Sequence, residues 1–327
     1  MKAMVYSEYG MTDVLELKEV DIPELKANEV LVKMYASSVN SWDWDLLRGK
    51  PFLTRLGGIR KPRYNILGAD IAGRVEAIGE NVKHLSVGDE VFGDISGCGW
   101  GGFAEYVSVC EEALSLKPAN MTFVDAAAIP QAGVLALQAL RDKGRVHETK
   151  KVLINGAGGG VGTFALQIAK LYGAEVTCVD SKGKLEMLKS IGADHVIDYR
   201  AEDFTKKEDQ KYDLILDVVG NRSIFHYKRA LRSEGKYVMI GGSSFLILQL
   251  LLLGPIINKT ERKKMAILLH KPSKEDQNFL KDLYTAGKLV PVIDREYSLN
   301  QVPEAIDYLG EGNTKGKVVV CVEDSHS

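Results

Sequence analysis

Residues 155–162, Asn-Gly-Ala-Gly-Gly-Gly-Val-Gly, carry five glycines in eight positions. A loop so poor in side chains lets backbone N–H groups reach a phosphate, provided that a helix begins at its end. The glycine spacing of a dinucleotide loop, at i, i+2 and i+5, is met only with Ala157 in the first place, ahead of Gly159 and Gly162. Alanine holds that place if its φ is negative. Gly159 then lets the backbone approach the phosphates, flanked by Gly158, Gly160 and Val161, and Gly162 lets helix and strand pack closely. The competing readings are a flexible linker and a purely structural turn.

Asp180 stands eighteen residues past Gly162, where an acidic residue bonds the adenosine ribose and repels a 2′-phosphate. Ser181, Lys182 and Lys184 follow at once and bring a hydroxyl and two ammonium groups to the same edge. Asp180 alone selects NAD. The lysines either bind the 2′-phosphate of NADP or are solvated residues opening a helix. Charge-assisted contacts to a phosphate outweigh one carboxylate that can turn aside, so NADP(H) is favoured over NAD(H).

The elements around the loop argue against a linker. Residues 151–154 read as a buried strand, and 161–172 as a helix with Phe164, Ala165, Ile168, Ala169 and Tyr172 at helical spacing. Strands are expected at 175–179, 195–197, 214–219 and 237–240, and helices at 184–191 and 274–286. Such alternation builds a parallel sheet covered on both faces. Gly241 and Gly242, after the fifth strand, would border the nicotinamide end of the cofactor.

Upstream of residue 120 the texture differs: short β runs at 29–34, 72–79 and 88–93 alternate with glycine turns, as in a mostly-β domain of irregular barrel type. Residues 318–322 return to that texture and are expected to rejoin it. The expected organisation is therefore a mostly-β domain at 1–120, a dinucleotide-binding domain at 121–287 and a C-terminal return at 288–327.

The chain has 327 residues, 45% hydrophobic and 26% charged, with a net charge of −2, so no basic field is available for nucleic acid or anionic lipid. The basic run at 261–264 reads as a solvated helix face. Cys98, Cys110, Cys178 and Cys321 form no C-x-x-C pair, a spacing that suits neither a disulfide framework nor a structural zinc site. His84, His147, His195, His226, His270 and His326 show no ligand spacing. Residues 245–257 are apolar but broken by Gly254-Pro255, and a membrane-spanning helix needs about 20. They suit a buried helix, a pocket lid or a subunit contact. With no apolar leader at the N-terminus, a cytoplasmic location is expected.

Leu153, Ala157, Gly159-Gly160, Gly162, Gln167 and Lys170, together with Asp70, Gly73, Val75, Gly79, Val82, Gly88-Asp89 and Val91, carry a family resemblance, and Gly316-Lys317-Val318 fits it too. The chain resembles the medium-chain dehydrogenase/reductase superfamily, and within it the zinc-free quinone oxidoreductase branch. Gly158 departs from the branch, which usually has a small side chain there. The resemblance implies an α/β architecture: a GroES-like, mostly-β catalytic domain beside a Rossmann domain with a doubly wound parallel sheet. It also implies that Ser181, Lys184 and Tyr199 contact the 2′-phosphate, and that Asn40 lies beside nicotinamide and substrate. Asn40's alternative role is capping a helical turn at 41–46. Asp45 takes the place of a pocket-lining tyrosine and is carried as a second catalytic candidate. Where zinc-dependent relatives hold catalytic zinc, this chain has Asn40, Ala69-Asp70 and the 130–132 region, so no zinc is expected.

These readings lead to an NADP(H)-dependent, metal-free enzyme, passing hydride to a quinone or an α,β-unsaturated carbonyl and working as a homodimer. The rivals are a zinc-free alcohol dehydrogenase or ketone reductase, and a non-catalytic NADP(H)-binding redox sensor.

Overall fold

The computed structural model describes residues 1–56, 58–146, 150–207 and 211–322, so His147 and His326 lie outside the described residues. The chain divides into two compact units, residues 1–134 with 272–327, and residues 135–271.

The first unit opens with the hairpin β1 (Lys2–Val5) and β2 (Glu16–Glu19), then the long strand β3 (Glu29–Val39) and helix α1 (Ser41–Arg48). It continues through β4 (Asp70–Ile78), β5 (Glu90–Asp94), β6 (Tyr106–Cys110), β7 (Leu114–Leu116), α2 (Phe123–Ala128) and the start of α3 (Pro130–Gln138).

The second unit runs β8 (Lys151–Asn155), α4 (Gly160–Leu171), β9 (Glu175–Asp180), α5 (Leu185–Ser190), β10 (His195–Asp198) and β11 (Tyr212–Asp217). It ends with α6 (Ile224–Ala230), β12 (Leu231–Met239), α7 (Ser244–Thr260) and β13 (Lys264–Ile267). The chain then returns to the first unit as α8 (Lys274–Thr285), β14 (Ile293–Ser298), α9 (Val302–Gly310) and β15 (Lys317–Cys321).

In the first unit the sheet runs β14-β15-β3-β4-β5-β7, with β6 also on β3. Alternation on β3 buries Val30, Val32, Met34 and Ala36, and the first three pack with Ile71, Val75, Val91 and Val107. β15 pairs antiparallel with β3, Val318 opposite Val39, so the start of β15 comes level with the end of β3.

In the second unit the sheet is parallel throughout the described residues, in the order β10-β9-β8-β11-β12-β13. The strand order reverses beside β8, and in sheets of this kind ligands bind at the carboxyl ends of the strands near that reversal. Both the glycine loop after β8 and Gly241-Gly242 after β12 sit at carboxyl ends.

Four expectations need correction. The unit boundaries fall at 134 and 272 rather than 120 and 287, because α2 packs on β3 and β4 and α8 on β7. Residues 244–260 form one helix that continues through Pro255: Leu246, Leu250, Gly254 and Ile257 face inward, and this packing against β13 outweighs the lost backbone bond. The 261–264 run is no helix face, since α7 stops at Thr260 and Lys264 opens β13. Cys98 and Cys110 are bonded as a disulfide across a Cα–Cα distance of 6.2 Å. The turn after β5 carries Cys98 to the end of β6, a proximity that spacing along the chain does not reveal. Among the described residues, no helix is long and apolar enough to cross a membrane.

Candidate active site

The glycine loop forms a tight turn between β8 and α4. Gly156 takes the left-handed conformation (φ 80°), while Ala157 is not among the positive-φ residues and so fits as expected. Both Gly156 and Ala157 donate their N–H to the Val179 carbonyl at the end of β9 (3.0 and 3.2 Å). A Cβ on Gly162 would lie 2.5 Å from the Ala157 backbone, so Gly162 is required for the close approach of α4. A Cβ on Gly159 would meet nothing nearer than 3.8 Å, leaving its backbone open to a ligand. Gly159 caps α4, and the N–H groups of the first helical turn, Gly160 to Gly162, have no partner within the helix. This cradle fits a pyrophosphate.

The adenosine-end residues gather beside it. Asp180 accepts the Gly158 N–H at 2.7 Å through one oxygen and the Ser181 N–H at 2.8 Å through the other. Its carboxylate is thus turned into the loop. Lys184 stands 3.5 Å from Asp180, and a Cβ on Gly158 would strike the Lys184 stem at 2.6 Å. Gly158, the departure from the branch pattern, therefore makes room for this lysine. Lys184 is buried and Lys182 exposed, so the solvated reading holds for Lys182 alone. The Tyr199 N–H bonds the Asp180 carbonyl (3.2 Å) and its ring is exposed, with Arg200 against its hydroxyl (3.3 Å). Arg200 is a second cation that sequence reading missed.

Gly241 and Gly242 are tied to the loop after β11: Gly241 accepts from the Gly220 N–H (2.9 Å), and a Cβ on Gly242 would lie 2.6 Å from the Gly220 carbonyl.

In the first unit, the end of β3, the start of β4, the start of α3 and the start of β15 meet around Asp70. Its Oδ1 accepts the Gln131 N–H (2.9 Å); its Oδ2 accepts Asn40 Nδ2 (2.9 Å) and the Ser38 hydroxyl (3.0 Å). Lys317 Nζ donates to Asn40 Oδ1 at 2.6 Å and lies 3.4 Å from Asp70 Oδ2. Asp43, at the third position of α1, accepts the Asn40 N–H (2.7 Å) and the Gly68 N–H (2.9 Å). The side chains of Lys317 and Asp70 are 3% and 0% exposed, so a full ion pair is held out of water. Burial pushes Asp43 up to about 7, against the pull of its two N–H donors. Burial also raises Asp70, opposed first by Lys317.

Asn40 is thus both the residue preceding α1 and a side chain aimed at Asp70 and Lys317. Asp45 does not join this group; it pairs with Arg48 one turn along α1 (3.1 Å). On a helix the third residue, not the fifth, faces back to the cap, so Asp43 is the carboxylate that reaches Asn40. The Asn-x-x-Asp spacing at 40–43 was the available signal for it. Lys317 had one as well, a lysine opening the apolar run of β15.

The positions that hold zinc in metal-dependent relatives do come together, but their donors do not fit the ion. Asn40 and Gln131 present nitrogen donors to Asp70, and an ammonium stands where a cation would be shared. A tetrahedral zinc site needs thiolate, imidazole or carboxylate lone pairs.

A family model described as an alcohol dehydrogenase GroES-like domain matches residues 26–119, and one described as a zinc-binding dehydrogenase matches residues 191–320. A 2-methylene-furan-3-one reductase of Solanum lycopersicum is 36% identical over 98% of this chain and 79% of its own length. An NADPH-dependent alkenal/one oxidoreductase of Arabidopsis thaliana, chloroplastic, is 33% identical over 98% of this chain and 79% of its own length. Among solved structures, the quinone oxidoreductase from Coxiella burnetii superposes with a TM-score of 0.89 at 30% identity, covering 99% of each chain.

Proposed function

We propose that this chain, which belongs to the medium-chain dehydrogenase/reductase superfamily and within it to the zinc-free quinone oxidoreductase branch, is an NADPH-dependent reductase of quinones or α,β-unsaturated carbonyls. The observation that carries the reading is the cradle after β8, where open backbone at Gly159 and the first turn of α4 adjoin a buried lysine. The relatives' names add the substrate class, alkenals, enones and quinones.

When bound, the dinucleotide supplies the hydride. The N–H groups of the first turn of α4 bind its pyrophosphate, with the helix dipole behind them. Lys184 and Ser181 receive the 2′-phosphate, with Tyr199 and Arg200 on the outer side. Asp180 does not oppose this charge strongly, because its oxygens already accept from Gly158 and Ser181 and face the Lys184 ammonium at 3.5 Å. Asn40 donates through Nδ2 to the substrate carbonyl and stabilises the negative charge that moves onto that oxygen as the β carbon gains hydride. Water then protonates the enolate, and the saturated carbonyl leaves.

The homodimer belongs to the same proposal. It is supported by α7, whose Phe245, Leu248, Leu251, Leu252 and Ile256 are 52–66% exposed and gain from being covered. Sedimentation at micromolar concentration tests it; a species of 36.0 kDa alone would refute the dimer.

The functional test is oxidation of NADPH and of NADH by a quinone and by an enone, each with and without protein. Rapid NADPH oxidation that needs both protein and acceptor is expected. Binding of NADPH with no turnover of either acceptor would replace this reading with the sensor.

A further inference from the structure

The buried ion pair of the first unit has more precision than a core requires. Replacing such a pair with apolar residues is often neutral or stabilising, so stability alone does not explain it. Three carboxylates, those of Asp43, Asp70 and Asp94, lie 0–2% exposed in this unit, and Lys317 is the ammonium set among them. The backbone is built to deliver it. Gly316 takes a left-handed φ of 92°, a Cβ there would strike the Val292 carbonyl at 2.2 Å, and the Lys317 N–H bonds that same carbonyl at 2.8 Å.

An asparagine amide has two nearly isosteric orientations, one presenting an acceptor where the other presents a donor. Here both ends are read by charge. The ammonium of Lys317 accepts no hydrogen bond, so it forces Oδ1 toward itself, and the carboxylate of Asp70 forces Nδ2 toward itself. Of the two Nδ2 hydrogens, one goes to Asp70 at 2.9 Å and the other has only the Ser38 carbonyl at 3.4 Å, beyond a good hydrogen bond. That long bond is the one Nδ2 gives up when it donates to a substrate oxygen.

We propose that Lys317 is a positioning residue for the reaction: its ammonium holds Oδ1 of the Asn40 amide, so that Nδ2 is the atom left to donate to the substrate carbonyl, and it supplies the fixed positive charge that a metal ion supplies in zinc-holding relatives. The inference rests on the function proposed above. Without the ammonium the amide is free to turn, and an acceptor facing the carbonyl oxygen opposes the charge that develops there. Burial draws the Lys317 ammonium below the ordinary lysine range, and Asp70 is the first group to oppose that shift.

A double-mutant cycle on the purified full chain, read with NADPH and an enone, provides the test. Lys317→Met should lower kcat at least tenfold, with the KM for NADPH within twofold of wild type. In an Asn40→Ala background the same substitution should cost no further activity, because it acts through Asn40. Losses that multiply in the double variant would mean that Lys317 serves only the fold, and a Lys317→Met enzyme with wild-type kcat would also overturn the proposal.

If Lys317→Met does not fold, the wild type carries the test. With 15N-labelled lysine at pH 7, one ammonium signal should be protected from solvent exchange and coupled to the Asn40 amide. A neutral amine or an exchanging one would contradict the proposal. Failure of the function is distinguishable: a wild type that oxidises NADPH with no quinone or enone removes the reaction itself, whatever Lys317 does.

Discussion

Each unit holds a buried lysine beside an aspartate, and the two pairs differ in ways that bear on function. Lys317 and Asp70 lie 3.4 Å apart with Asn40 bonded to both, and they are 247 residues apart in the chain. Lys184 and Asp180 lie 3.5 Å apart, four residues apart, with backbone N–H groups on both carboxylate oxygens. In the first pair the charges hold a third side chain in place. In the second, the carboxylate is occupied by its own loop and the ammonium marks the edge of the cradle. On the roles proposed above, a similar ion-pair distance serves orientation in one unit and ligand charge in the other.

If that comparison is right, breaking the first pair should cost the fold most. Asp70→Ala leaves the Lys317 ammonium without its paired carboxylate and takes the acceptor from the donors of Ser38, Asn40 and Gln131, and should lower stability by about 3–5 kcal/mol. Chemical denaturation measures it; a loss within experimental error would mean that water enters the cluster and that the pair is not sealed.

Glycine substitutions should sort by what their Cβ would meet. Gly162→Ala drives a methyl into backbone at 2.5 Å and should destabilise by about 1–3 kcal/mol, as overpacking does. Gly159→Ala has space and should leave stability nearly unchanged while weakening NADPH binding. Thermal melts with and without NADPH separate the two, and equal loss of stability from both would contradict the assigned roles.

Asn40→Ala should lower kcat/KM for a quinone or enone by roughly tenfold or more, about 1.4 kcal/mol of transition-state binding, with NADPH affinity little changed. On the other side of the comparison, Lys184→Ala should weaken NADPH by about 1–2 kcal/mol and leave NADH nearly unaffected. Equal losses for both dinucleotides would show that Lys184 shapes the loop rather than meeting the 2′-phosphate.

The legible part of the molecule was its local part. The strand-loop-helix around residue 157, and Asp180 with Lys184 four residues later, lie within one βα repeat, where periodicity and spacing carry the geometry. α7 was less legible because an internal proline argues for a break, and only packing on β13 overrides it. Asn40, Asp70 and Gln131 could be paired only by resemblance, since sheet register and the start of α3 bring them together. Lys317 was read as a motif position with no task. Asp43 was not singled out, although its three-residue spacing from Asn40 was a sign that it reaches that residue. The Cys98–Cys110 bond is invisible for the same reason, being made by a turn and a neighbouring strand rather than by a motif.

The smallest predicted effect is on pH. The folded Asp43 carboxyl is raised to about 7 by burial. Its contribution to stability is therefore full below the ordinary carboxylate range and is lost as pH rises through about 7, where a buried charge must form. Denaturation midpoints of wild type should fall across that window relative to those of Asp43→Asn, in which this part of the slope is absent. Parallel pH profiles for the two proteins would mean that Asp43 is charged throughout.

Hydride transfer to the β carbon of a polarised double bond is read out by isotope labelling. With NADPH deuterated at nicotinamide C4 and an enone as acceptor, deuterium should appear on the β carbon of a saturated ketone. Deuterium found only on the carbonyl carbon of an allylic alcohol would identify a ketone reductase instead.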